Sequence, residues 1–114
     1  MSVEMTFETN EEGFTLVHLV GKIDALGAQK IDLQFNAIAK GHDKIIVNLE
    51  NVDYLASMGI RTLIMGAKVL QLKNGKIALL NPSSEVEKVL SESGVDTLIP
   101  VCHDLEAAKK VILG

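Results

Sequence analysis

Asn51-Val52-Asp53-Tyr54-Leu55-Ala56-Ser57-Met58-Gly59-Ile60-Arg61-Thr62-Leu63-Ile64-Met65 is the stretch whose reading decides the fold. Before it, Lys44-Ile45-Ile46-Val47-Asn48-Leu49 is a short, continuous apolar run with β-branched residues. Such a run suits a strand buried on both faces, as in a parallel sheet. After it, Ile60, Leu63, Ile64 and Ala67 recur at helical spacing, so a helix is expected to begin near Ser57. A serine hydroxyl therefore stands where a strand-to-loop segment turns into a helix N-terminus. Unpaired backbone N–H groups and the positive end of the helix dipole gather there. Ser57 is read either as the helix N-cap, a place serine favours, or as the carrier of a phosphate.

Outward from this stretch the chain alternates strands and helices. Met1 to Thr9 places Val3, Met5 and Phe7 on one side and Ser2, Glu4, Thr6 and Glu8 on the other, as in a half-buried edge strand. The turn Asn10-Glu11-Glu12-Gly13 leads into a more central strand, Phe14 to Lys22, paired with the first as an antiparallel hairpin. His18 lies within it with no evident partner. Asp24 is a good N-cap for a helix from Ala25 to Lys40, striped by Ala28, Ile31, Phe35 and Ile38 and stopped by Gly41. The helix from Ser57 is expected to run to Lys73 and to close at Asn74-Gly75. Lys76 to Leu80 reads as a buried strand, and Ser84 with Glu87 as a capping box for a short helix ending at Gly94. Leu98 to Val101 reads as a last strand, at an edge because of Pro100, and Asp104 caps a final helix. A hairpin followed by helices and single strands implies a mixed sheet with parallel crossovers.

The organising segment resembles the signature of the STAS family, the sulfate transporter and anti-sigma-factor antagonist domains. Its bacterial antagonists read aromatic-aliphatic-Asp-Ser-Ser/Thr-Gly-Leu-Gly, and Tyr54, Leu55, Ser57, Gly59 and Ile60 stand on that pattern. Ala56 replaces the Asp, Met58 the second hydroxyl residue and Arg61 the second Gly. A Gly-Glu-Leu-Asp element of the family is matched by Gly21, Ile23 and Asp24, with Lys22 departing. The resemblance covers essentially the whole chain. It implies an α/β STAS fold over residues 1–114: a single domain with a mixed sheet of about five strands, an N-terminal antiparallel hairpin and about four helices. It also implies that Ser57 is the phosphoacceptor, with Asp24 and Gly59 shaping the acceptor site. The implied partners are an anti-sigma factor acting as serine kinase and a serine phosphatase that resets the switch.

The helix after Ser57 carries a second apolar stripe, Met58, Met65, Val69 and Leu72, with Thr62 among them and Arg61 on the flank. A helix on a sheet needs only one apolar face. Either neighbouring helices cover the second, or it is a docking surface centred on the adaptable side chains of Met58 and Met65, with Arg61 and Thr62 contributing. A phosphate beside it would repel a docked partner.

Composition narrows the alternatives. The 114 residues suffice for one core, and 47% hydrophobic with 23% charged residues fits a globular chain. A net charge of −4 with scattered Lys and Arg makes nucleic acid and anionic membranes poor partners. Neither a membrane-spanning run nor a leader is expected, and the one cysteine, Cys102, suits a reducing cytoplasm. No phosphate-binding or dinucleotide loop appears, and Cys102, His103, His18 and His42 lack zinc-site spacing. No catalytic pair, metal or cofactor is therefore expected, and the resemblance to the STAS family implies an anti-sigma-factor antagonist without catalysis of its own. Two alternatives stay open: a non-phosphorylated STAS adaptor or scaffold, and a binder of small anionic ligands at the Ser57 helix N-terminus.

Overall fold

The continuous apolar runs become the middle of a sheet, and the helical stripes pack over it. The computed structural model describes residues 3–114. In chain order it comprises β1 (Glu4–Thr9), β2 (Thr15–Ile23), α1 (Ala25–Gly41), β3 (Lys44–Leu55), α2 (Ser57–Leu72) and β4 (Lys76–Leu80). α3 (Ser84–Glu92), a 3-10 turn (Val95–Thr97), β5 (Val101–Cys102) and α4 (Leu105–Leu113) complete it. Met1 and Ser2, where the first strand was expected to begin, lie outside the described residues.

The sheet has five strands in the order β1-β2-β3-β4-β5. β1 and β2 pair antiparallel, and every later pair is parallel. Each crossover steps the same way across the sheet, so right-handed connections place α1, α2 and α3 on one face. Val17, Val47, Leu79, Phe35, Leu63 and Leu90 share the core there. α4 follows the last strand and covers the other face, where Ala108 and Ile112 meet Phe14, Ile46, Ala78, Leu80 and Cys102. Ile45 and Ile46 thus belong to opposite cores. That two-sided burial is what a continuous apolar run in a parallel strand requires.

β3 extends six residues past the apolar run, through Leu55. The segment that sequence suggested was a strand-to-loop passage is strand, paired with the end of β2 up to Ile23↔Leu55. Two register shifts, at His18/Val20 and at Gly21/Lys22, break the two-residue alternation there. Gly21 supports the second with φ +106°, a conformation costly for other residues.

Several boundaries differ from expectation. Gly41 is the last residue of α1, with the extended His42 as its C-cap. Ser83, not Ser84, caps α3, accepting from the Val86 N–H at 3.2 Å. Glu87 instead meets His103 at 2.9 Å. Of the expected last strand, Leu98–Val101, only Val101 is strand, continuing to Cys102; a 3-10 turn at Val95–Thr97 precedes it, and Val95 and Ile99 are fully buried there. His18 does have partners: Asn48 Nδ2 lies 3.2 Å from its Nδ1, and Glu8 lies 3.9 Å from its Nε2.

Candidate functional site

β2 and β3 end side by side, and each runs into a helix. The Ala56 N–H donates to the Ile23 carbonyl at 2.9 Å, so Asp24 and Ser57 begin their helices at the same end of the sheet. Asp24 caps α1 as expected, its Oδ1 accepting from the Gly27 N–H at 2.7 Å. For α2 the expectation is corrected. Ala56, in extended conformation, is the N-cap and supplies no side-chain hydrogen bond; Ser57 is the first helical residue. Its side chain is exposed. The Gly59 and Ile60 N–H groups both turn to the Ala56 carbonyl, at 2.9 and 3.1 Å.

Gly59 sits three residues into the cap sequence because space demands it. A Cβ there would lie 2.6 Å from Ile23 Cγ2 and 2.7 Å from Leu55 Cδ1. Further along, a Cβ at Gly66 would lie 2.4 Å from the Phe35 ring. The two helices meet at that seam, with Phe35 fully buried.

Above the seam α1 and α2 diverge into a groove of about 670 Å³. Leu26 and Leu33 of α1 and Met58 and Met65 of α2 stand along it, 76%, 86%, 43% and 50% exposed. Phe35, Thr62 and Gly66 form its floor, and Asp32 and Arg61 are its charged residues. Four large apolar side chains left in solvent beside one groove is an unusual concentration for a small domain.

Met58, Arg61 and Met65 are thus brought together at the surface. Thr62 is not part of that surface: it is 2% exposed, donating to Asp32 Oδ1 at 2.6 Å, with the Met58 carbonyl 3.1 Å from the same hydroxyl. Val69 packs against the core rather than outward. Leu26 and Leu33 were missed by reading α2 alone. Their signal is a seven-residue repeat off the Ala28, Ile31, Phe35, Ile38 stripe, which puts a second apolar line on α1.

Other chemistry-bearing residues do not converge here. Cys102 is buried under α4, and burial, followed by the nearby Asp104 carboxylate, pushes its thiol pKa up. Among the described residues no three His, Cys, Asp or Glu side chains gather to hold a metal, and no helix is long and apolar enough to cross a membrane.

A family model of the STAS domain matches residues 6–108. The chain belongs to the STAS family. Among its relatives, BtrV of Bordetella bronchiseptica, assigned by name to the anti-sigma factor antagonists, is 28% identical over 98 residues, which span 85% of this chain and 84% of BtrV. The crystal structure of an anti-sigma factor antagonist from Mycobacterium paratuberculosis superposes with a TM-score of 0.88 at 19% identity, covering 99% of this chain and 96% of that one. The anti-sigma factor antagonist SpoIIAA, a Bacillus cell fate determinant, matches in its unphosphorylated form with a TM-score of 0.78 at 24% identity, covering 95% and 96%. Its phosphorylated form matches with a TM-score of 0.71, also at 24% identity, covering 95% of this chain and 99% of that one. These solved structures bear on the STAS fold, with its mixed sheet and flanking helices.

Proposed function

We propose that this STAS chain, acting as a single domain, is an anti-sigma-factor antagonist in a partner-switching pathway. Unphosphorylated, it binds an anti-sigma serine kinase across the α1/α2 groove. The kinase transfers the γ-phosphoryl group of its ATP to Ser57: the Oγ–P bond forms, the hydroxyl proton leaves, and the bond to the departing ADP breaks. The phosphorylated chain is released, and a serine phosphatase restores it. The chain is the substrate in this cycle and acts on nothing itself. Asp24 and Gly59 shape the acceptor site; Met58, Arg61 and Met65 contact the kinase, over a floor that Thr62 fixes.

The observation that carries this is the exposed Ser57 hydroxyl at the first turn of α2, beside four solvent-facing apolar side chains. A phosphate there adds nearly two negative charges next to an apolar contact, opposing docking by repulsion and desolvation. The test is the intact mass of the protein from its native cells, with fragmentation to localise any modification. A phosphate on Ser57 is expected. A mass that stays unmodified across growth and stress conditions overturns the switch and favours a constitutive adaptor. That second reading draws on Ala56 and Met58, which remove a carboxylate and a hydroxyl from the acceptor's neighbours.

A further inference from the structure

Arg61 is the one arginine of the chain. It is exposed and lines the α1/α2 groove. Its guanidinium has no partner among the described residues, where the ion pairs join His18 to Glu8, Lys73 to Asp43, His103 to Glu87, and Lys109 to both Glu12 and Glu106. Asp32, the other charged residue of the groove, is occupied with the Thr62 hydroxyl. A flexible cation therefore lines an apolar groove without an ion pair to any described residue.

Ser57 stands four positions before Arg61 on the same helix, and both are exposed. Residues four apart are neighbours on a helix surface, and side chains lean toward the N-terminus, so Arg61 reaches back over the turn that Ser57 begins. An acidic group first and a basic group four residues later is the favourable order for such a pair. A guanidinium fork also matches two phosphate oxygens at once, which a lysine ammonium does not.

We infer that a phosphate on Ser57 draws the Arg61 guanidinium out of the groove and onto itself, so that modification removes the groove's only cation as well as adding negative charge. The inference rests on Ser57 being the phosphoacceptor. In the unmodified chain Arg61 is free to meet a carboxylate on the apolar segment of a docked partner. In the phosphorylated chain Asp32 is the only charge left to line the groove, and that carboxylate finds no counter-ion. Release then has two parts, and the second depends on one side chain.

Phosphoserine installed at position 57 during translation tests this without any kinase. The second ionisation of the phosphate is followed by phosphorus NMR in the wild type, in Arg61→Gln and in Lys68→Gln, which removes an exposed charge three turns away on α2. Pairing with Arg61 favours the dianion, so the wild-type midpoint is expected about 0.3 below that of Arg61→Gln, with Lys68→Gln matching wild type. The Arg61 Nε–H resonance should also move on phosphorylation. Equal midpoints in wild type and Arg61→Gln, or an equal displacement by Lys68→Gln, overturn the pairing. Either result leaves open whether cells phosphorylate Ser57, which the intact mass decides separately.

Discussion

At the start of α1 stand Asp24, Ala25, Leu26 and Gly27; at the start of α2 stand Ala56, Ser57, Met58 and Gly59. Position by position these are an N-cap, a small residue, an exposed apolar residue on the groove, and a glycine pressed against the strand behind. The glycines let both helices begin close to the end of the sheet, and the residues before them, Leu26 and Met58, stand on the two walls of the groove. What differs is the cap. α1 closes on a carboxylate from its own side chain, whereas α2 begins on Ala56 with no side-chain acceptor. One helix start is finished by the sequence; the other is left with donors that a later substituent can use. The unfinished one carries the exposed serine.

This comparison can be broken at its glycines first. A Cβ at Gly27 would lie 2.7 Å from the Lys22 carbonyl, which is backbone and has little room to yield, whereas Gly59 faces side chains. Gly27→Ala is expected to destabilise the chain by about 2 kcal/mol, and Gly59→Ala by less, as read by urea unfolding. Equal losses would mean that the two starts are packed alike. Next comes the cap itself. Asp24→Ala should cost about 1 kcal/mol, and a change within error would deny Asp24 its structural role.

Ala56→Asp sharpens the contrast by giving α2 what α1 already has. It should raise stability by about 0.5 to 1 kcal/mol, seen as a higher urea midpoint at unchanged slope. The smallest effect is expected at Ser57. Because Ser57 is the first helical residue and not the cap, Ser57→Ala should alter stability by less than about 0.5 kcal/mol. A loss near that of Asp24→Ala would restore Ser57 to the cap.

Much of this was legible in the chain. The order of strands and helices followed from apolar periodicity, and the Asp24 and Asp104 caps from residue type at a helix start. Ser57 and Ala56 were not separable in that way: helix starts drift by a residue in any pattern, and serine's capping preference pointed to the wrong one. The strand nature of Asn51–Leu55 was hidden because β3 carries an extra residue at each of the two register shifts, which spoils its alternation. Thr62 was hidden for a different reason. Its hydroxyl is held by Asp32, thirty residues away on another helix, and nothing local to α2 records that contact. The α1 wall was present in sequence as Leu26 and Leu33, yet only the α1–α2 approach at Gly66 turns two separate apolar lines into one groove.

That approach has a consequence for how quickly and how selectively the groove can be filled. With the Phe35 ring seated where a side chain at Gly66 would be, α1 and α2 cannot slide past one another without unpacking the core. The groove is a mould set before any encounter. A visitor that fits loses only its own freedom and the rotamers of two leucines and two methionines, since no backbone must be ordered to receive it. Variation among visitors should then appear in how long they stay more than in how fast they arrive.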